Sequence, residues 1–219
     1  VLVYSDANID AGAARGAVLA RQLADELKAL RHALDVTQPG IDAALDAALA
    51  FDGGPVVLAD GADNPGGGAP GDATFILERL LARGIDNACI GPLWDPGAVR
   101  IAFDAGVGAR LALRIGGKIG PLSGAPLDLQ VTVKALRPDM VMTGLAGTPV
   151  AMGDCACVEV AGVQIVLCSI RNQAMGTDLF TQLGVELGAK KTIVVKSLQH
   201  LYASYSKVAI HVMSVGPPG

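Results

Sequence analysis

Seven residues in two short stretches carry the groups from which a site can be assembled. The first stretch holds Asp63, Asn64, Gly66, Gly67 and Gly68, and the second holds Lys196 and His200. A carboxylate binds a cation or an amine, and an asparagine amide orients a carbonyl. A lysine neutralises an anionic group, and a histidine moves a proton near neutral pH. Glycines add backbone that can approach a ligand closely and aim its N–H groups. Each has a plainer use. Asp63 and Asn64 bond their own loop in Asx turns, and a lone histidine is more often structural. Asp60 and Asp72 flank the first stretch, and with Asp63 they offer oxygen ligands for a hard cation. Arg171, Asn172 and Gln173 form a further polar cluster that either lines a site or caps a helix.

Two familiar phosphate motifs fit badly. Residues 66–71, GGGAPG, match G-x-G-x-x-G by letter, but the first glycine comes several residues after the strand, behind Asp63-Asn64-Pro65. No Lys-Ser/Thr closes the loop as in a P-loop, and Asp72 at the helix start would repel phosphate while serving as the N-cap. The three histidines, His32, His200 and His211, are dispersed and make no HExxH zinc site. No G-x-S-x-G elbow is present, so a serine triad is not readable. Ser197 reads as a helix N-cap.

The elements around these residues alternate. Residues 1–4 read as a strand, followed by a polar turn at residues 5–8. Residues 11–34 read as a helix, with Leu19, Leu23, Leu27, Leu30 and Leu34 spaced by three and four. A second helix spans residues 41–50. Then come a strand at 56–59, the glycine loop, and a helix from Asp72 closed by Gly84. A strand at 87–91, a loop at 92–96 and a helix at 97–105 follow. Residues 109–170 are rich in alternating strands, with Ala161-Gly162 as a hairpin turn, and read as an antiparallel region or subdomain. A helix at 177–183, a strand at 192–195, a helix at 198–208 and a strand at 210–215 close the chain. This predicts an α/β fold: a mixed, largely parallel sheet flanked by helices, with an antiparallel β-rich middle.

Composition narrows the class. At 219 residues and 51% hydrophobic, the chain can bury a large core, built mainly of aliphatic residues because aromatics are only 4%. A net charge of −4 argues against a nucleic-acid partner. No apolar run approaches the roughly 18 residues of a membrane span, so a soluble protein is expected. Four cysteines without CxxC, and no visible signal peptide, point to a reducing, cytoplasmic compartment. The chain begins at Val1 without Met, as a processed or truncated piece would.

ADGADNPGGGAPGDAT (residues 59–74) resembles the hallmark loop of the C-terminal domain of the MlrC family, named for a microcystin-degradation protein. GPLWDPGAVRIAFDAGVGARLALRIGGKIGPLSGAPLDL (91–129) resembles its Gly-Gly-Lys region. GTDLF (176–180) and VVKSLQH (194–200) resemble its closing segments. The resemblance implies a bacterial zinc metallopeptidase or amidohydrolase acting on peptides. It also implies that the zinc ligands belong to an N-terminal catalytic domain absent from this sequence. No catalytic residue and no metal ligand then carries over to this chain, which is one MlrC C-terminal-like domain, inactive alone, whose partner is that catalytic domain. Asp63, Asn64, Gly66, Gly67, Gly68, Lys196 and His200 become substrate-cleft residues for a peptide or small molecule. A non-catalytic binding module is the alternative, and a homo-oligomer is compatible with both.

Overall fold

The structure, a computed structural model, describes residues 1–6, 11–34 and 37–218. It divides into two units, Val1–Thr37 and Gln38–Gly219. The first contains helix α1 (Gly12–Ala29). The strand expected at residues 1–4 is not formed, because no strand among the described residues is paired with it. Ala7 and Asn8 of the expected turn lie outside the described residues.

The second unit is built on one eight-stranded sheet with the order β3-β4-β5-β6-β2-β7-β1-β8. Its parallel half comprises β1 (Val56–Asp60), β2 (Ala88–Trp94), β6 (Val163–Cys168), β7 (Thr192–Val195) and β8 (His211–Val215). Strands β1 and β7 are buried at every position, the continuous apolar pattern of a sheet covered on both faces. The antiparallel half comprises β3 (Arg110–Ile115), β4 (Leu127–Thr143), β5 (Pro149–Val160) and β6. The alternating strands of residues 109–170 therefore continue the same sheet.

Register explains most of the local detail. Ala161 and Gly162 both have positive φ, 48° and 78°, as a two-residue I′ hairpin between β5 and β6 requires. Part of the alternation expected within residues 109–170 is one long strand, β4. Bulges at Val133/Ala135 and Arg137/Met140 absorb the irregular alternation. Strand β2 also runs past the expected loop, to Trp94. Its register against β6 shifts between Ile90 and Leu93, which takes Pro92, with no N–H to give, out of the ladder.

Helices cover both faces. Helices α2 (Ile41–Ala50), α3 (Phe75–Ala82) and α4 (Pro96–Ala105) pack Leu45, Ile76, Leu77, Leu80 and Val99 against one face. Short helices α5 (Asp178–Thr181) and α6 (Tyr202–Tyr205) bury Leu179, Phe180 and Tyr205 on the other. The helix expected at 198–208 thus contracts to a single turn. Leu201 and Tyr205, one turn apart, still reach the core, and the Tyr205 hydroxyl donates to Gly176 O at 3.1 Å. Gly84 closes α3 as expected: its N–H bonds Leu81 O and the Ile85 N–H bonds Leu80 O, a Schellman cap. No helix among the described residues is long and apolar enough to cross a membrane.

Candidate functional site

In open parallel sheets, ligands gather outside the carboxyl ends of the strands. Here the ends of β1, β7, β2 and β6 deliver Asp60, Lys196, Asp95 and residues 171–173. Because β1 and β7 are neighbours in register, with Ala59 opposite Val195, Asp60 and Lys196 emerge side by side.

Lys196 is 0% exposed, and its ammonium has three partners. It contacts Asp60 Oδ2 at 2.8 Å and Asp63 Oδ2 at 2.9 Å, and it donates to Ala73 O at 2.7 Å. Asp63 also accepts the Gly71 N–H (2.7 Å) and the Ala73 N–H (2.8 Å), while Asp60 Oδ1 accepts the Asp63 N–H (3.2 Å). Lys196 and Asp63 are thus brought together, but underneath the glycine loop, where they pin both of its ends. Three donors are all an ammonium has, so Lys196 has none left over. The cation between Asp60 and Asp63 is the chain's own.

Burial disfavours the charged lysine, yet the two carboxylates outweigh that and hold the Lys196 pKa above its ordinary value of 10.5. A raised folded-state pKa gives stability that is intact below the unfolded value and disappears as pH rises through the folded one. Unfolding free energy is therefore expected to keep this contribution up to pH 10.5 and to fall only above it. Urea melts across alkaline pH check this, with Lys196→Met flattening the fall.

Asp72 is not the N-cap of α3. That position belongs to Thr74, whose side chain makes no cap bond and instead donates to Ala125 O at 2.8 Å. Asp72 turns across to the Gly-Gly-Lys segment, accepting the N–H groups of Lys118 (2.7 Å) and Ile119 (3.0 Å) and the Ser123 hydroxyl. Asp95 holds the same segment from the other side. It caps α4 through the Ala98 N–H (3.0 Å), accepts the Gly116 N–H (2.9 Å) and pairs with Lys118 Nζ (2.6 Å). Gly117 must be glycine there: its φ is +61°, and a Cβ would come within 2.5 Å of the Ala125 backbone.

Above this floor lies the exposed turn, a short 3-10 segment over Pro65–Gly67. Asn64 Oδ1 accepts the Gly66 N–H at 3.0 Å. The N–H groups of Gly67, Gly68 and Ala69 bond Asn64 O, Pro65 O and Asn64 O at 2.9, 3.1 and 3.3 Å. The expectation that this turn aims free N–H donors outward is therefore not met, since the tight turn spends them internally. The carbonyls of Gly66 and Gly67 have no hydrogen bond among the described residues. Arg171 Nη1 donates to Ala69 O at 2.7 Å.

Gln173 ties the turn to His200. Its buried amide lies against Gly66, where a Cβ would come within 2.5 Å of Oε1, and its Nε2 is 2.9 Å from His200 Nδ1. His200 itself is exposed. Gln173 Oε1 and Ser197 Oγ are buried without a hydrogen-bond partner. Ser197 consequently caps no helix, contrary to its sequence reading. Gln173 stood in the sequence as one of a polar cluster, and only the fold shows that it links two loops far apart in the chain.

Among the described residues, no group of three or more His, Cys, Asp or Glu is placed to hold a metal ion. Asp60 and Asp63 hold Lys196 and Asp72 faces elsewhere, so the three-carboxylate cation site is not assembled. His211 is exposed and stacks on Phe51, with centroids 4.7 Å apart. The four cysteines are free and buried. Burial pushes the thiols of Cys155 and Cys157 up to about 12, and those of Cys89 and Cys168 higher, away from thiolate chemistry. A surface groove of about 820 Å³ lies between α2, α3 and the C-terminal Gly216-Pro217-Pro218. It contains none of the residues that converge at the strand ends.

The comparisons with known proteins agree with this architecture. The chain is 43% identical over 143 residues to Microcystinase C of a Sphingomonas sp., covering 65% of this chain but 28% of that protein. It superposes on the crystal structure of a candidate metallopeptidase from Mesorhizobium sp. BNC1 with a TM-score of 0.83 at 27% identity, covering 91% of this chain and 40% of that one. The chain thus spans well under half the length of either relative. The MlrC C-terminus family model matches residues 58–219, from β1 through β8 and across the whole strand-end site, and the chain belongs to that family.

Proposed function

We propose that this chain is the non-catalytic C-terminal part of a zinc metallopeptidase or amidohydrolase, and that its strand-end turn forms one wall of the cleft that receives a peptide. What supports this is an exposed glycine turn locked from beneath by a buried ion-pair network, at the end of the sheet where ligands collect. Membership of the MlrC C-terminus family and the metallopeptidase-like neighbour support peptide amides as the substrate class. Among the described residues no set of ligands fits a zinc site, and in this reading zinc and its ligands lie in the additional polypeptide that the longer relatives carry.

The chain's own groups divide into two roles. Asp63 and Lys196 fix the turn from below. Asn64, Gly66, Gly67, Gly68 and His200 face the cleft. The Gly66 and Gly67 carbonyls accept N–H groups of an extended peptide, and the Asn64 amide and the His200 ring orient its carbonyls. The buried, unpaired Gln173 Oε1 fits the same use, since leaving such an atom unsatisfied costs about 1–3 kcal/mol.

Kinetics on the protein from its full reading frame test the reading. Gly66→Val displaces Gln173, and with it His200, so kcat/KM for a peptide amide falls at least tenfold, or about 1.4 kcal/mol of transition-state stabilisation. His200→Ala falls comparably, with the melting temperature unchanged. Wild-type kcat/KM in both variants, or zinc-dependent hydrolysis by the 219-residue chain alone, contradicts it.

A further inference from the structure

The unit Val1–Thr37 leaves much aliphatic side chain in water. Leu19, Leu23, Leu27, Leu30 and Leu34 are 39% to 60% exposed, along one stripe of α1 and the turn after it. Arg21, Asp25, Lys28 and Arg31 occupy positions between them, and Arg15 precedes them. Ahead of the helix, Val1, Leu2 and Tyr4 are 61%, 86% and 93% exposed. Yet this unit is not shapeless. Gly16 is buried in α1, where a Cβ would come within 3.0 Å of Ser5 Oγ and 3.8 Å of Val3 Cγ1, so the helix packs closely on the segment before it. An apolar stretch backed closely by an amphipathic helix is a strand–helix pair lacking its sheet. An 18-residue helix of this kind draws most of its stability from covering its apolar stripe.

We infer that Val1–Thr37 is a strand–helix element of a second α/β sheet, whose remaining strands lie in the further polypeptide of the full-length protein. Residues 1–4 pair with an edge of that sheet, and the leucine stripe of α1 lies on its apolar face. Length and coverage point to that occupant. Both relatives extend far beyond the part matched here. The family model begins at residue 58, but the match to the solved structure leaves out fewer residues than this unit holds, so it reaches into residues 1–37. The inference rests on the functional proposal only for the existence of a partner domain, not for its chemistry.

Amide hydrogen exchange on the 219-residue chain and on the protein from its full natural reading frame tests it. Amides of residues 2–4 and of α1 are expected to exchange nearly unprotected in the short chain and about 1000-fold more slowly in the long one. The double variant Leu23→Asp, Leu27→Asp should lower the melting temperature of the long protein and leave the unfolding of residues 38–219 in the short chain unchanged. Equal exchange in both proteins overturns the inference, as does a reading frame with nothing upstream of Val1. A short-chain dimer that Leu27→Asp dissociates also overturns it, handing the stripe to a second copy. Protected helix amides in a long protein that cleaves no peptide would instead fail the functional proposal alone, and an active protein with unprotected α1 would fail this inference alone.

Discussion

Lys196→Met is expected to lower the unfolding free energy by about 3–5 kcal/mol, because it strands two buried carboxylates without their cation. Asp60 and Asp63 are 1% and 4% exposed, and both lie within 3 Å of the lysine nitrogen. Methionine fills most of the volume, so the loss reports charge and hydrogen bonding more than a cavity. The same substitution also frees Ala73 O, so both the start and the end of the glycine loop lose their anchor. Combining Lys196→Met with Asp60→Asn should cost less than the sum of the two single changes, since each already breaks the same network. Urea denaturation of the four proteins closes this double-mutant cycle. Additive losses would show that the network does not act as a unit.

Asp95→Ala is expected to cost about 3 kcal/mol, combining a lost N-cap of about 1 kcal/mol with charge-assisted bonds of about 1.5–3 kcal/mol each, partly compensated by solvent. One 3%-exposed carboxylate caps α4, holds Gly116 and anchors Lys118. Lys118→Met should cost far less, about 1 kcal/mol or below, because a side chain 35% exposed is screened by water. Asp95→Asn keeps the cap and should fall between the two. Chemical denaturation followed by circular dichroism ranks the three. Lys118→Met matching Asp95→Ala would move the weight from the backbone bonds to the ion pair.

The parts of this fold legible in the sequence are those fixed by near neighbours. Apolar runs bounded by turns marked β1, β7 and β8, and Ala161-Gly162 marked its hairpin, because these signals lie within a few residues. The α/β class followed from alternation along the chain. The misreadings come from partners distant in sequence. Asp72 looks like a helix cap, yet its acceptors serve N–H groups 46 and 47 residues away. Lys196 reads as a functional charge at a strand end, and only the pairing of β7 with β1 reveals the carboxylates that let it be buried. The glycine turn looked like a set of outward donors, but its tightness turns those N–H groups back onto Asn64 and Pro65. Residues 1–4 have strand composition, but a strand needs a neighbour to bond.

The proposed cleft wall is tested most directly with a photoreactive peptide amide bound to the full-length protein. Cross-links mapped to Asn64, Gly66, Gly67, Gly68 and His200, and lost in Gly66→Val, are the predicted result. Labelling that bypasses these residues and falls instead along the groove between α2 and α3 would contradict it.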